Sequence, residues 1–252
     1  MIDLVLARAD APGRAPPSAP DAGYERLQAG GTVVLVDCGM QPLPGFDRDA
    51  HAGTLALEMS HGRERIVVNC GAYQGLGEEW RLAMRATAAH STVIVADTNS
   101  AELRSAGGLG KGPHSVTRER AEKDGDVWIS ATHDGYREAY GLSHARQLFL
   151  AANGDDLRGE DALTGPAGRG FAVRFHLHPD VEAALQPEGN AVRLTLPSGG
   201  AWRLRAEGAV LSLGESVYHG DGAPRKTQQV LLDGHVGTQG ATVRWAIRRE
   251  VD

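Results

Sequence analysis

The 252-residue sequence is poor in several features that mark particular classes of protein. Its two cysteines, Cys38 and Cys70, are too few for a disulfide framework or for a structural zinc site made of thiolates alone. No apolar run approaches the roughly 18 residues that a membrane-spanning helix needs. Lys and Arg number 26 against 32 Asp and Glu, and a formal net charge of −6 argues against sequence-independent binding of nucleic acid. Aromatic residues make up only 5%, so we expect a core of Val, Leu, Ile and Ala.

The N-terminus also lacks the features of a secretory signal peptide. Its apolar stretch covers only residues 4–7, and no positively charged segment precedes it. Residues 11–23 are rich in Pro, Ala and Gly and show no apolar period, as in a linker. We therefore predict a flexible linker over residues 1–23 and one folded domain over residues 24–252, and we expect a further domain upstream.

From residue 24 onward, the sequence alternates between apolar and polar residues in many short segments. Thr32–Asp37 is an apolar run of strand length, and the apolar residues of Phe171–His178 fall on one face of a strand. The only good helix candidate is Glu78–Ala89. The absence of βαβ alternation predicts an all-β fold, an antiparallel β-sandwich. Further predicted strands are Thr54–Met59, Arg65–Asn69, Thr92–Ala96, Val116–Arg120 and Val127–Thr132, and the core is predicted to include Trp128, Trp202 and Trp245.

Three polar side chains lie at or beside the ends of predicted strands. They belong to His51, Asn69 and His90. Adjacent strands can bring such distant residues together on a metal ion, although the spacing alone does not show it. A neutral amide is a poor zinc ligand compared with a carboxylate. The alternative interpretation is therefore that these three polar residues have structural roles and do not bind a metal.

Three stretches occur in a fixed order: DAHAGTLALEM at 49–59, RIVVNCG at 65–71, and a segment at 80–93 that ends in ATAAHSTV. They resemble the C-terminal domain of the heparinase II/III family of bacterial polysaccharide lyases, whose pattern is roughly H-x-H-(A/G)-x-x-L-S-F, D-x-G and R-S-T-x-A-H-N-T. HDGY at 133–136 and RFHLHP at 174–179 fit the same group. The resemblance runs from about residue 24 to the end, and it implies the supersandwich type of β-sandwich.

The resemblance also implies roles for particular residues. The three positions that bind zinc in the family fall on His51, Asn69 and His90, so zinc is the implied cofactor and Asn69 implies a weak or lost site. The first His of H-x-H, which takes part in catalysis in the family, is Asp49 here. We name Asp49 and Tyr136 as the catalytic candidates. An Asp would need a large pKa shift to reproduce imidazole acid–base behaviour near neutral pH.

A predicted basic strip supplies the substrate-binding candidates. Arg174, His176 and His178 share one strand face, and together with Arg203, Arg205 and Arg244 they would bind an acidic polysaccharide. A solvated sheet face is the alternative. In the family, an N-terminal helical toroid supplies most of the catalytic site, and nothing in this sequence looks like one. A helical toroid domain or subunit is therefore the expected partner. The resemblance implies the periplasm or cell envelope, while the missing signal peptide leaves the cytoplasm open.

Two functions follow from these expectations. The first is the C-terminal domain of a lyase that cleaves a uronate-containing glycan by β-elimination and is inactive without its helical domain. The second is a non-catalytic glycan-binding or interaction module. An open reading frame for a helical toroid upstream of this chain would favour the first.

Overall fold

The computed structural model describes residues 15–72, 75, 77–220 and 222–250. Most of the regular structure in this part of the chain is β-strand. In chain order the strands are β1 (Ser18–Ala19), β2 (Tyr24–Ala29), β3 (Thr32–Asp37), β4 (Leu57–His61), β5 (Glu64–Val68), β6 (Val93–Val95), β7 (Val116–Lys123), β8 (Asp126–His133), β9 (Ser143–Leu150), β10 (Asp156–Thr164), β11 (Gly170–Leu177), β12 (Glu182–Leu185), β13 (Ala191–Thr195), β14 (Ala201–Glu207), β15 (Val210–Tyr218), β16 (Arg225–His235) and β17 (Ala241–Glu250). The helices are α1 (Glu78–Arg85), a 3-10 helix (Thr87–Ala89) and α2 (Arg137–Tyr140).

The strands form two antiparallel sheets that pack face to face. The first sheet has the order β1-β2-β3-β4-β5-β11-β16-β15, with β6 paired beside β11. The second has the order β12-β13-β14-β17-β10-β9-β8-β7. One hydrophobic cluster with residues from both sheets fills the space between them, and the rings of Phe175 and Trp245 meet there at 4.8 Å. The predicted all-β sandwich is therefore confirmed.

The alternation of the sequence explains which side chains enter this core. In β3, Thr32, Val34 and Val36 are buried while the residues between them are more exposed, as the period of two predicts. Trp202 and Trp245 are buried as predicted. The prediction that Trp128 lies in the core is wrong. Its side chain is 36% exposed, because it lies on the outer face of β8.

Strand β11 departs from the predicted pattern because both of its faces are covered. Phe175 faces the core, but His176 and His178 on the other face are buried as well. The 3-10 helix lies over this second face, where Nε2–H of His176 donates to the carbonyl oxygen of Ala88 at 2.9 Å. The alternative interpretation of Arg174, His176 and His178 as a solvated sheet face is therefore wrong for the two histidines.

Two predicted boundaries also differ from the structure. The predicted helix Glu78–Ala89 ends at Arg85, because Ala86 is extended, with φ −69° and ψ 151°. The predicted linker over residues 1–23 is interrupted by β1, which pairs with β2. Residues 1–14 of that linker lie outside the described residues. No helix in the described part of the chain is long and apolar enough to cross a membrane.

Candidate functional site

A cavity of about 530 Å³ opens on the outer face of the first sheet. Its floor is formed by outward-facing side chains of β2, β3 and β4, and its wall by the connection between β3 and β4. His51, Asn69 and His90 all line this cavity, so the structure brings the three predicted metal positions together. Asp49 lines it too and is exposed.

His51 and His90 form a hydrogen-bonded pair whose proton positions follow from their partners. Nδ1 of His90 lies 2.7 Å from the carbonyl oxygen of Ala86, and a carbonyl only accepts, so this Nδ1 carries a hydrogen. Nε2 of His90 therefore accepts from Nδ1–H of His51, at 3.0 Å. His51 is left with Nε2 as its unprotonated nitrogen, and Nε2 makes no hydrogen bond to the described residues.

Burial keeps both imidazoles uncharged near neutral pH. Burial and the neighbouring His51 together lower the pKa of His90 to about 3. Burial also lowers the pKa of His51, and Arg85 acts in the same direction, while Asp49 opposes them by favouring the imidazolium. Backbone packing fixes the pair, because a side chain on Gly53 would come within 2.7 Å of Cδ2 of His90.

Carboxylates supply the remaining charge of the cavity, and the sequence analysis missed two of them. Asp37 and Glu58 line the floor beside Tyr24, and no Lys or Arg is among the lining residues that the structure describes. Burial raises the pKa of Asp37 to about 6, and Asp37, burial and Glu58 together raise the pKa of Tyr24 to about 12. The signal for Glu58 was its outward position between Leu57 and Met59, two inward-facing residues of β4.

Asn69 uses both ends of its amide for structure. Nδ2–H donates to Oε1 of Glu58 at 3.0 Å, and Oδ1 accepts from the backbone N–H of Ser91 at 2.8 Å. The amide thereby ties the end of β5 to β4 and to the residue after His90. Its oxygen accepts one hydrogen bond and carries no charge, so it is a weaker metal ligand than a carboxylate oxygen would be.

The family model described as Heparinase II/III-like, C-terminal, matches residues 11–246. The chain belongs to this family. A curated relative, FtsZ-localized protein C of Caulobacter vibrioides (strain NA1000 / CB15N), is 35% identical over 98% of this chain and 46% of its own length. The chain therefore spans about half of that relative.

Solved structures support the heparinase II/III-like fold. The heparan sulfate lyase HepC from Pedobacter heparinus superposes with a TM-score of 0.77 at 15% identity, over 95% of this chain and 38% of HepC. A heparinase III superposes with a TM-score of 0.72 at 17% identity, over 90% of this chain and 35% of that enzyme. At these identities the likeness concerns the fold.

The donors of this heparinase II/III-like chain do not fit a resident zinc ion. The nitrogens of His51 and His90 that face each other share a hydrogen, and the oxygen of Asn69 is uncharged and already accepts a hydrogen bond. Within the described residues, no three His, Cys, Asp or Glu side chains are placed to hold a metal.

Tyr136 lies apart from the cavity, in the core. It is fully buried, and its hydroxyl donates to the carbonyl oxygen of Val93 at 2.8 Å. Burial raises the pKa of this phenol well above its ordinary value. A phenol held this way anchors β6, and the catalytic role predicted for Tyr136 has no support in this position.

The three predicted substrate-binding residues do not line the cavity either. Arg174 donates to Oε1 of Gln229 at 3.1 Å, and Nδ1 of His176 lies 2.7 Å from Oγ of Ser216. The ring of His178 packs on Tyr218 at 5.0 Å. These contacts give each residue a structural role, and their binding of substrate stays a prediction.

Proposed function

We propose that this chain is the C-terminal β domain of a polysaccharide lyase that cleaves a uronate-containing glycan by β-elimination together with a helical toroid domain. The observation that carries the proposal is the neutral His51, whose unprotonated Nε2 belongs to a side chain lining a cavity. β-Elimination needs a base that takes the C5 proton of the uronate, and a neutral imidazole can do so. The periplasm or cell envelope, where such polymers occur, is the proposed location.

Asp49 and His90 would assist this base in two different ways. His90 accepts the Nδ1–H of His51 and so fixes the tautomer that leaves Nε2 free. Asp49 favours the imidazolium form of His51, and it therefore stabilises the charge that develops as the proton is taken. Asp49 would thus act by electrostatics and would not replace the family's histidine as an acid or base.

The described residues that line the cavity do not provide every group that β-elimination needs. The uronate carboxylate must be neutralised before the C5 proton becomes acidic, and no Lys or Arg is among the described residues that line the cavity. A helical domain that covers the cavity would supply the neutralising groups and the acid for the leaving oxygen. The chain by itself is therefore expected to bind without turnover.

Mass detection of unsaturated oligosaccharides from heparin, heparan sulfate and alginate tests this proposal. The chain alone should form no product, whereas the complete protein, including any helical domain that its gene encodes, should form it. His51→Ala should abolish product in the complete protein, and His114→Ala, at an exposed histidine, should not. Product from the β domain alone, or an unimpaired His51→Ala enzyme, would contradict the proposal.

A non-catalytic interaction module is the second candidate. Two observations favour it: the family's functional positions carry Asp49 and Asn69, and carboxylates dominate the cavity. The Caulobacter relative, moreover, carries a name that refers to localisation with FtsZ and to no lyase activity. Specific binding by the complete protein without any unsaturated product would favour this candidate over the lyase.

A further inference from the structure

A groove of about 630 Å³ crosses the outer face of the second sheet. It lies on the opposite side of the sandwich from the His51 cavity, and the proposed function does not use it. Its centre is a row of directly paired residues, one from each of six neighbouring strands, that all face outward. The row consists of Ala121, Trp128, Phe149, Arg158, Ala246 and Arg205.

One half of this row is an aromatic platform. Trp128 is 36% exposed, and its ring centroid lies 5.1 Å from that of Phe149. The guanidinium carbon of Arg158 lies 5.5 Å from the centroid of Phe149, within the range of a cation–π contact. The two rings are inclined to each other by 49°, and together they form an angled apolar surface. The apolar face of a sugar ring can rest on such a surface while the polar edge of the ring stays free.

The other half of the row is built for an anion. Ala246 lies between Arg158 and Arg205 in the register, so the two arginines stand two strand spacings, about 10 Å, apart at their backbones. Arg205 is exposed and makes no ion pair with any residue that the structure describes, while Arg158 pairs with Asp156 at 2.7 Å. The small side chain of Ala246 leaves room for a carboxylate or sulfate between two guanidinium groups.

A second outward row beside the first offers hydrogen-bonding groups of both kinds. Ser130, Gln147, Glu160 and Arg244 follow one another across four strands, and Nε–H of Arg244 donates to Glu160 at 2.8 Å. Hydroxyl, amide and charged groups in a line can pair with sugar hydroxyls, which both donate and accept.

We propose that this groove binds an acidic saccharide, with a sugar ring on Trp128 and Phe149 and its anionic group between Arg158 and Arg205. The His51 cavity provides the contrast, because carboxylates line it and no Lys or Arg does so among the described residues. Four arginines and three glutamates line the groove, and Arg205 is the arginine among them without an ion pair to a described residue. Of the two cavities, the groove is therefore the one that offers cationic groups to an acidic glycan. The groove would hold the polymer at a distance from His51. Its binding of a saccharide does not depend on the proposed reaction.

Calorimetric titration with a hexamannuronate from alginate tests the groove. Trp128→Ala and Arg205→Ala should each raise Kd by at least about tenfold, which corresponds to roughly 1.4 kcal/mol of binding free energy. The controls Trp80→Ala and Arg63→Ala remove an exposed Trp and an exposed Arg elsewhere and should leave Kd unchanged. Circular dichroism should show the same fold for all four variants, since each changed side chain is exposed.

The His51→Ala variant separates this inference from the proposed function. Binding that survives His51→Ala and is lost in Trp128→Ala supports the groove. Binding that is lost in His51→Ala and survives Trp128→Ala places the glycan in the His51 cavity and overturns the proposal. Three other results would also overturn it: no binding at millimolar hexasaccharide, equal affinity for cellohexaose, or a concentration-dependent dimer that Trp128→Ala abolishes, which would make a second copy of this chain the occupant.

Discussion

Asn69 shows how one residue can change the chemistry of a cavity without changing its shape. We expect Asn69→Asp to raise zinc affinity at least about tenfold over the wild type. The new carboxylate would face Glu58, where Nδ2–H now donates, and a cation at His51 and His90 would relieve the repulsion between the two acids. Calorimetric titration with zinc measures the change. Adding His90→Ala should reverse the gain; tight zinc binding by the wild type, or no gain in Asn69→Asp, would contradict the prediction.

Gly53 holds the site together by what it lacks. A Cβ on this residue would lie 2.7 Å from Cδ2 of His90, so Gly53→Ala must displace the imidazole. We expect a loss of about 1–3 kcal/mol in the free energy of unfolding, as for other overpacked sites. Gly200→Ala is the matched control, because the nearest atom, Oγ of Ser198, lies 3.6 Å away; its effect should stay within about 0.5 kcal/mol. Urea unfolding compares the two, and equal stabilities would show that His90 can move freely.

At the scale of elements, a buried cross-strand pair connects the second sheet to the site. Arg146 on β9 lies opposite Asp161 on β10, and Nε–H of Arg146 donates to Oδ1 of Asp161 at 2.7 Å. The guanidinium also donates to the carbonyl oxygens of Leu55, at 2.7 Å, and Ser91, at 2.9 Å. Leu55 has a φ of +60°, unusual for a residue with a side chain. The pair therefore helps to hold the two segments that carry His51 and His90.

Breaking this pair should cost more than removing it. Asp161→Asn leaves the buried Arg146 without its counter-charge, and we expect a loss of about 3–5 kcal/mol in the free energy of unfolding. In the double variant Arg146→Met with Asp161→Asn, no charge stays unpaired, so part of the stability should return. Urea unfolding of the single and double variants measures this coupling. Additive losses would argue against a mutually dependent pair.

The sequence predicts the elements of this fold better than their ends and their covered faces. The apolar run Thr32–Asp37 predicts β3 to the residue. Alternation fails to predict the burial of β11, where the 3-10 helix covers the second face. It also gave no hint that Arg146 enters the core, since Asp161, its partner, lies on the next strand and becomes adjacent only through the register.

The candidate site was predictable to a similar extent. Motif order brought His51, Asn69 and His90 together, and all three line one cavity. The proton arrangement was beyond prediction, because it depends on Ala86 leaving the helix so that its carbonyl oxygen can accept from His90. The burial of Tyr136 was also beyond prediction, because a Tyr after an Asp-Gly turn gives no sign of whether it enters the core.

On the scale of the whole molecule, the two outer faces of the sandwich differ in charge and chemistry. The first presents neutral imidazoles among carboxylates, and the second presents an aromatic row that ends in arginines. A polymer held on the second face could not reach His51 along a straight path through the sandwich. A chain that uses both faces would have to pass around an edge, or the two faces would serve different molecules.

The stability of the whole molecule should fall as the pH is lowered from 7 to 5. His133, His144 and His176 are buried, and burial lowers the pKa of each, to about 4 for His176. In the unfolded chain they titrate near 6.5, so below that pH the unfolded state binds more protons than the folded state. Their contribution is complete above the unfolded pKa and declines by up to about 1.4 kcal/mol per pH unit for each histidine.

Urea unfolding at pH 8, 6 and 5 measures this dependence. His176→Gln should flatten the slope between pH 6 and 5 by about one proton, since Gln does not titrate and its amide can still donate to Ala88 as Nε2–H does. His114→Gln, at an exposed residue, should leave the slope as it is. The partnership of Asp161 with Arg146 and His144 holds the pKa of that carboxyl well below its usual range, so its contribution declines only below about pH 4. Equal stability at pH 8 and 5 would mean that the buried histidines take up protons without unfolding, which their enclosure in the core opposes.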